Sequence, residues 1–450
     1  MKNFFTLHKD KFLLGIILVL FAGTCFFLLY RLGVHPFIDY DESIYAQVAK
    51  EALQNHHWLH FTYFGSSWFE KPPLGIWLIS ISFWIGGINE WTARIPSALA
   101  AILTVGLSLR WVYELRKSYS ATILTAICFF IMFPFITTAY FVQIDSIVGF
   151  FVLLALYAWW KKWYMVWGIA IGLGVLTKNI VGFFPIAPII IYQAIEKDFT
   201  FLKLKQFWQA ILAGAILILP WHIYQSFAYG KEFWNNYFFY HVLKRYSSSL
   251  ENNGAPFWYF FQLVFLRYGL AFLVFAGSLF AGLILSWKDK MVRYLVISAV
   301  VIFLIFSSST TKLPAYIVVV LPLFVMISGI MLDKLLQFLP KPWLRTVVIT
   351  VLAVVFFYTA WQFNVYKLAQ GEDSEEYLAN KKVGLFLKDF HPELPVYING
   401  DYKSLGIGFY ASREIQPTTD EAITKAPAQR VVHTNFESVY LGKNYIVIIR

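Results

Sequence analysis

Cysteine is almost absent from this chain: 450 residues contain two, Cys25 and Cys128, and both lie inside apolar runs. Neither a disulfide framework nor a cysteine-built metal centre is supported. Charge is scarce as well, at 14% of residues against 59% hydrophobic. With a mean hydropathy of +0.60, a soluble protein of this length could not keep its apolar surface from water, so the composition is that of a multi-spanning membrane protein. Internal repeats and low-complexity tracts are also lacking, which removes support for a transporter built from repeated halves. The formal net charge is +11. Its lysines and arginines fall in short clusters between apolar runs, the pattern of cytoplasmic loops, and nucleic acid is therefore not expected as a partner.

Apolar runs of roughly 15 to 25 residues mark membrane spans. They fall near 12–30, 93–113, 120–142, 147–160, 163–177, 180–195, 207–224, 259–285, 294–309, 314–332 and 346–363. The first follows Lys2, Lys9 and Lys11, but it is too long for a signal sequence and lacks a small-residue cleavage site, so it reads as a retained anchor. The segment 73–88 is apolar but short. If it does not cross, Arg116-Lys117, Lys161-Lys162, Lys197 with Lys203 and Lys205, Lys288 with Lys290 and Arg293, and Lys334 with Lys341 and Arg345 all share the cytoplasmic side. The expected fold is thus an all-α polytopic membrane protein with about 11 transmembrane helices. A transmembrane domain over 1–365, with external loops 31–92 and 225–258, precedes a small extracytoplasmic α/β domain over 371–450. In that domain helices are expected near 374–389 and 418–425, and strands near 395–398, 406–410, 429–433 and 445–449.

This topology collects polar residues at the extracytoplasmic face: Asp39, Asp41, Glu42, Glu70, Lys71, Asp145, Lys178, His241, Arg245 and Lys312. Asp41 precedes a helical stretch, where a carboxylate serves as a cap or, with Asp39 and Glu42 beside it, as a general base toward a hydroxyl. Asp145 sits in a tight external turn, suited to a solvated turn residue or to orienting an acceptor or holding a cation. Lys71, Lys178, Arg245 and Lys312 are cations on the face that the positive-inside bias leaves poor in lysine, a pattern that suits a phosphate-bearing ligand or lipid headgroups. Tyr316, Trp234, Trp258 and Tyr259 fit an aromatic belt or the stacking of sugar faces. Glu70 and His241 offer two ligands to a divalent cation, far apart in sequence.

Several ordered motifs carry a resemblance. Asp41-Glu42-Ser43-Ile44-Tyr45-Ala46, Phe69-Glu70-Lys71-Pro72-Pro73-Leu74, Trp91-Thr92-Ala93-Arg94-Ile95-Pro96-Ser97-Ala98, Leu176-Thr177-Lys178, Pro256-Phe257-Trp258-Tyr259 and Thr311-Lys312-Leu313-Pro314-Ala315-Tyr316-Ile317 resemble the GT-C membrane glycosyltransferases of the protein O-mannosyltransferase and lipid A aminoarabinose transferase group. The resemblance implies an inverting enzyme that takes a sugar from a polyprenyl-phosphate donor at the extracytoplasmic face of a bacterial inner membrane. The acceptor stays open among lipid, protein and glycan, and membrane lipids are the surroundings. It implies Asp41 and Asp145 as catalytic residues and Lys71, Arg245 and Tyr316 at the donor phosphate; the reading of the residues themselves adds Glu42 to the catalytic set and Lys178 and Lys312 to the phosphate set. Tyr45, Trp258 and Tyr259 would contact substrate, and Glu70 and His241 a metal. Asn253 stands where many relatives carry histidine, and Asn179 follows Lys178 where glycine is common. The alternative is a flippase of lipid-linked sugars. It predicts polar residues through the membrane thickness, whereas here they concentrate at one face, Arg267 excepted.

Overall fold

The computed structural model describes residues 2–38, 40–250, 253–267, 276–278, 280, 282–284, 289–369, 374–399, 405–418, 429–433, 438–441 and 446–449. Helices occupy all the expected spans, although 259–285 is described continuously only over Tyr259–Arg267. Among the described residues five helical stretches are long and apolar enough to cross a bilayer: Lys11–Leu29, Glu90–Arg116, Tyr164–Phe183, Lys205–Ser247 and Lys290–Ser308. The protein is an all-α polytopic membrane protein with a small carboxy-terminal sheet domain. The helix Pro73–Gly86 has 14 residues, about 21 Å at the α-helical rise, short of a hydrocarbon core of about 30 Å.

The chain forms two compact units, Met1–Tyr30 with Phe69–Gly75 and Pro96–Asn364, and Arg31–Trp68 with Ile76–Ile95 and Val365–Arg450. In the first unit, small residues let helices approach closely. A side chain at Gly168 would strike the carbonyl of Ala210 at 2.0 Å, so the helices Tyr164–Lys178 and Lys205–Trp234 meet backbone to backbone there. The expected loop 225–258 is helical as far as Ser247; the helix Lys205–Trp234 breaks at Gly230 (φ +50°), and Asn235–Lys244 is wound as a π-helix. A chain of ion pairs joins the ends of helices that bear the basic loops. Arg116 and Lys334 share Asp289, at 2.7 and 4.0 Å, Lys290 and Arg293 share Glu196, and Lys161 meets Glu114 at 3.1 Å.

The second unit is built on the helix Asp41–Gln54, most of whose residues are buried. Its Glu51 accepts from Thr62 Oγ1 and from the amides of Phe64 and Gly65, which fastens the small hairpin Thr62–Tyr63 and Ser66–Ser67. The carboxy-terminal sheet runs in the order Ile415–Thr418, Val396–Asn399, Ile446–Ile449, Ser438–Leu441, Gln429–His433. The first three strands are parallel and the last three antiparallel. The central pair supplies Val396, Ile398, Ile446 and Ile448 to its core from one face, as the two-residue period of a strand requires.

The helix Ser374–Asp389 lies where the sequence places it. Residues 406–410, expected as a strand, belong instead to the helix Leu405–Ala411. A short apolar run does not distinguish a strand from a buried helical turn. Close packing decides here: a side chain at Gly384 would lie 2.7 Å from the carbonyl of Ile407. The strands Ile415–Thr418 and Ser438–Leu441 were not foreseen, and the helix expected over 418–425 falls, beyond Thr418, outside the described residues.

Single-cysteine labelling of intact cells checks the sidedness that the ion pairs imply. Positions 117, 162, 203 and 341 should react only after the membrane is permeabilised, and position 56 without it. Opposite labelling at 162 and 341 would break the arrangement.

Candidate functional site

In the first unit, basic and acidic side chains converge at helix ends remote in sequence. Ser97 Oγ accepts from the amide of Gln143 and donates to its carbonyl, both at 3.0 Å, which anchors the start of the helix Ile144–Trp160. Asp145, in the first turn of that helix, is 2% exposed. Lys178 ends the helix Tyr164–Lys178, and its ammonium donates to Asp145 Oδ1 at 2.6 Å. The same ammonium stands 4.4 Å from the centroid of the Tyr316 ring. Arg245 Nη1 donates to the Tyr316 hydroxyl at 3.4 Å. Lys71 lies within electrostatic reach of Tyr316 and of His241.

Local sequence explains the convergence. Phe69 is buried against Tyr229 and Phe233, at 5.2 and 5.8 Å between ring centroids, and this seats Glu70-Lys71 beside the long helix. Prolines then start the next helix, where a missing amide costs little. Gly75 has room for no side chain, since its Cβ would lie 2.7 Å from Ile144. Past Lys178 the chain turns at Asn179 with φ +32°, a conformation that glycine adopts freely and asparagine tolerates better than most residues.

The other residues expected at the phosphate or the metal have different partners. The ammonium of Lys312 donates to the carbonyls of Ala255, at 2.9 Å, and Ser309, while its amide binds Asn253. Together with Thr311 Oγ1, which donates to the carbonyl of Ser248 at 2.7 Å, it fastens the segment after Arg245 to residues 309–312. Burial lowers the pKa of Lys312. Glu70 pairs with Lys71 at 3.6 Å. Lys71 and Arg245 lie within electrostatic reach of His241, whose Nδ1 makes no hydrogen bond to the described residues. Two cations beside the imidazole oppose a divalent ion, and among the described residues no three His, Cys, Asp or Glu side chains gather. These residues do not fit a metal; they fit an anion. Trp258 is 61% exposed, against Phe257 and Phe261, and Tyr259 packs on Phe260.

Asp41, Glu42 and Tyr45 belong to the second unit. Asp41 is the first residue of its helix, half-buried, and the cap position is taken by Tyr40, whose φ of +70° is costly for an aromatic residue. Glu42 is fully buried. Its carboxylate meets Arg94 in a forked pair, Nε to Oε1 at 2.8 Å and Nη2 to Oε2 at 3.0 Å, and accepts from the amide of Ile38 at 2.9 Å. Arg94 also donates to the carbonyls of Leu32, His35 and Pro36. Engaged in this way, Glu42 shapes the segment before Asp41. Tyr45 is buried edge-on to Trp68. Arg94 went unassigned in the sequence, although its place in the Trp91–Ala98 motif was a signal.

Residues 12–235 match the family model described as dolichyl-phosphate-mannose-protein mannosyltransferase. The chain is 29% identical over 343 residues to the undecaprenyl phosphate-alpha-4-amino-4-deoxy-L-arabinose arabinosyl transferase of Wigglesworthia glossinidia brevipalpis, covering 72% of this chain and 58% of that one. The protein of the same name from Erwinia tasmaniensis is 27% identical over 300 residues, covering 62% and 52%. The chain thus spans a little over half the length of these curated relatives. Among solved structures it is similar to ArnT from Cupriavidus metallidurans in the apo state, with a TM-score of 0.73, 19% identity and coverage of 93% and 87%. The same protein bound to undecaprenyl phosphate gives a TM-score of 0.70 at 21% identity, covering 91% and 87%.

Removing one partner of a buried ion pair strands the other, at a cost of about 3–5 kcal/mol. Lys178→Met should therefore lower the unfolding temperature in detergent substantially, and Lys178→Met with Asp145→Asn should recover most of the loss. A double variant as unstable as the single one would show that the two side chains are not coupled.

Proposed function

We propose that this chain, which shares the fold of ArnT from Cupriavidus metallidurans, is a GT-C membrane glycosyltransferase moving a sugar from a polyprenyl-phosphate donor to a lipid, protein or glycan acceptor, with inversion at the anomeric carbon. The observation that carries the proposal is the cluster of Lys71, Lys178, Arg245 and Tyr316, cationic and hydroxyl-bearing, at the ends of apolar helices. Such a cluster suits a phosphate whose hydrocarbon chain lies among lipid. The relatives named for an undecaprenyl phosphate sugar, and the ArnT structure bound to undecaprenyl phosphate, support the same donor class. On this reading residues 1–365 form the transmembrane glycosyltransferase domain and 371–450 a small extracytoplasmic α/β domain.

In the reaction an acceptor oxygen attacks the anomeric carbon from the face opposite the phosphate. The new carbon–oxygen bond forms as the anomeric bond to the phosphate oxygen breaks, and polyprenyl phosphate leaves. Asp41 takes the proton of a hydroxyl acceptor, or orients an acceptor that is already an anion. Lys71 and Arg245 stabilise charge on the departing phosphate. Lys178, held by Asp145 and lying over Tyr316, keeps the phosphate site in shape. Lys312 holds the Arg245 segment rather than the donor.

Two variants in nanodiscs test the division of labour. With undecaprenyl-phosphate-linked 4-amino-4-deoxy-L-arabinose as first donor, Asp41→Asn should lose about two to four powers of ten in turnover while still binding undecaprenyl phosphate. Lys71→Ala should weaken that binding about tenfold or more, as loss of a charge-assisted contact does. Near-normal turnover in Asp41→Asn would return Asp41 to a structural role.

A further inference from the structure

The segment that presents Asp41 is fastened by residues from the far end of the chain. The Tyr410 hydroxyl accepts from the amide of Phe37 at 2.9 Å and donates to Glu90 Oε1 at 2.8 Å, both bonds buried. Lys381 donates to the same carboxylate oxygen and stands 5.3 Å from the Tyr410 ring centroid. Phe37 is fully buried, its ring edge-on to Phe409 at 4.6 Å. On the other side of Asp41, the Lys50 ammonium donates to the carbonyl of Phe409 and to Ser412 Oγ, each at 2.9 Å. The carboxy-terminal helix Leu405–Ala411 and the turn after it therefore grip the chain both before and after Asp41. Between the two grips lies Tyr40 with its left-handed φ, a conformation that persists only where its surroundings enforce it. Burial and the nearby Glu90 raise the Tyr410 phenol well above its ordinary range, so it stays a proton donor.

We infer that Tyr410 is a positioning residue for the proposed transfer: braced by Glu90, it holds the chain at Phe37 ahead of the helix Asp41–Gln54, and with it the placement of the Asp41 carboxylate. The carboxy-terminal domain is on this reading a working part of the catalytic apparatus. The inference rests on the function proposed above.

The test compares the full-length wild type with Tyr410→Phe in nanodiscs, by hydrogen exchange, undecaprenyl phosphate affinity and steady-state turnover. Loss of a buried hydrogen bond should raise exchange in peptides covering 31–40 about tenfold, while the strand Ile446–Ile449 keeps its protection. Turnover should fall about tenfold, with donor KM and undecaprenyl phosphate affinity little changed. Lys381→Met, which removes one support of Glu90 and leaves Tyr410 in place, should give the same pattern at smaller amplitude. Unchanged exchange over 31–40 overturns the inference, as does faster exchange without loss of turnover. Exchange that rises throughout the domain, with donor affinity lost, also overturns it by making Tyr410 a general stability residue. A wild type that transfers no sugar from any polyprenyl donor counts against the proposed function, while the exchange comparison still decides whether Tyr410 holds the segment.

Discussion

One forked ion pair sets the geometry of the second unit. Glu42 and Arg94 are both almost wholly removed from water, and neither charge would be tolerable there alone. Arg94 distributes its donors between two carboxylate oxygens and three backbone carbonyls, and the chain from Leu32 to Pro36 is wrapped around it. Everything that approaches Asp41 from its amino-terminal side does so through this cage. Tyr40, with its φ of +70°, stands between this cage and the helix that Asp41 begins.

The first unit applies similar electrostatics to a different end. There Lys178 and Asp145 are buried together, but Lys71 and Arg245 bring further positive charge. A caged pair is complete in itself, whereas an excess of cations is complementary to an anion that arrives from outside. Arg94 and Lys71 thus belong to the same charge class in different settings, one caged by a carboxylate and three carbonyls, the other in a looser pair with Glu70 at 3.6 Å. The contrast also explains the poor fit of a metal. His241 offers a buried nitrogen, yet it shares its surroundings with the two cations that suit a phosphate.

The membrane helices were legible because apolar length is a one-dimensional property, and the basic helix ends that the charge pattern puts on one side are joined by ion pairs. Asp145, Lys178, Arg245 and Tyr316 were legible as types at helix ends, and the structure brings them together. What the sequence concealed is partnership. Lys312 has the composition of a phosphate ligand, and only the carbonyls of Ala255 and Ser309 reveal it as a fastening. Glu42 beside Asp41 looks like a second acid until Arg94, whose distance along the chain carries no message, occupies it. Tyr410 lies in a run that periodicity reads as a strand, and nothing local in that run points to Phe37.

The bond between Phe37 and Tyr410 joins residues 373 positions apart. At translation rates of about 5–20 residues per second, the ribosome needs on the order of 20 to 75 seconds to span that interval. Arg94 is only 52 residues from Glu42, so both partners of the cage are synthesised while most of the protein is still unmade. Its further fastening waits for the helix Leu405–Ala411, which carries Phe409 and Tyr410. Until then a growing chain carries Asp41 without the carboxy-terminal residues that grip its flanks in the finished fold.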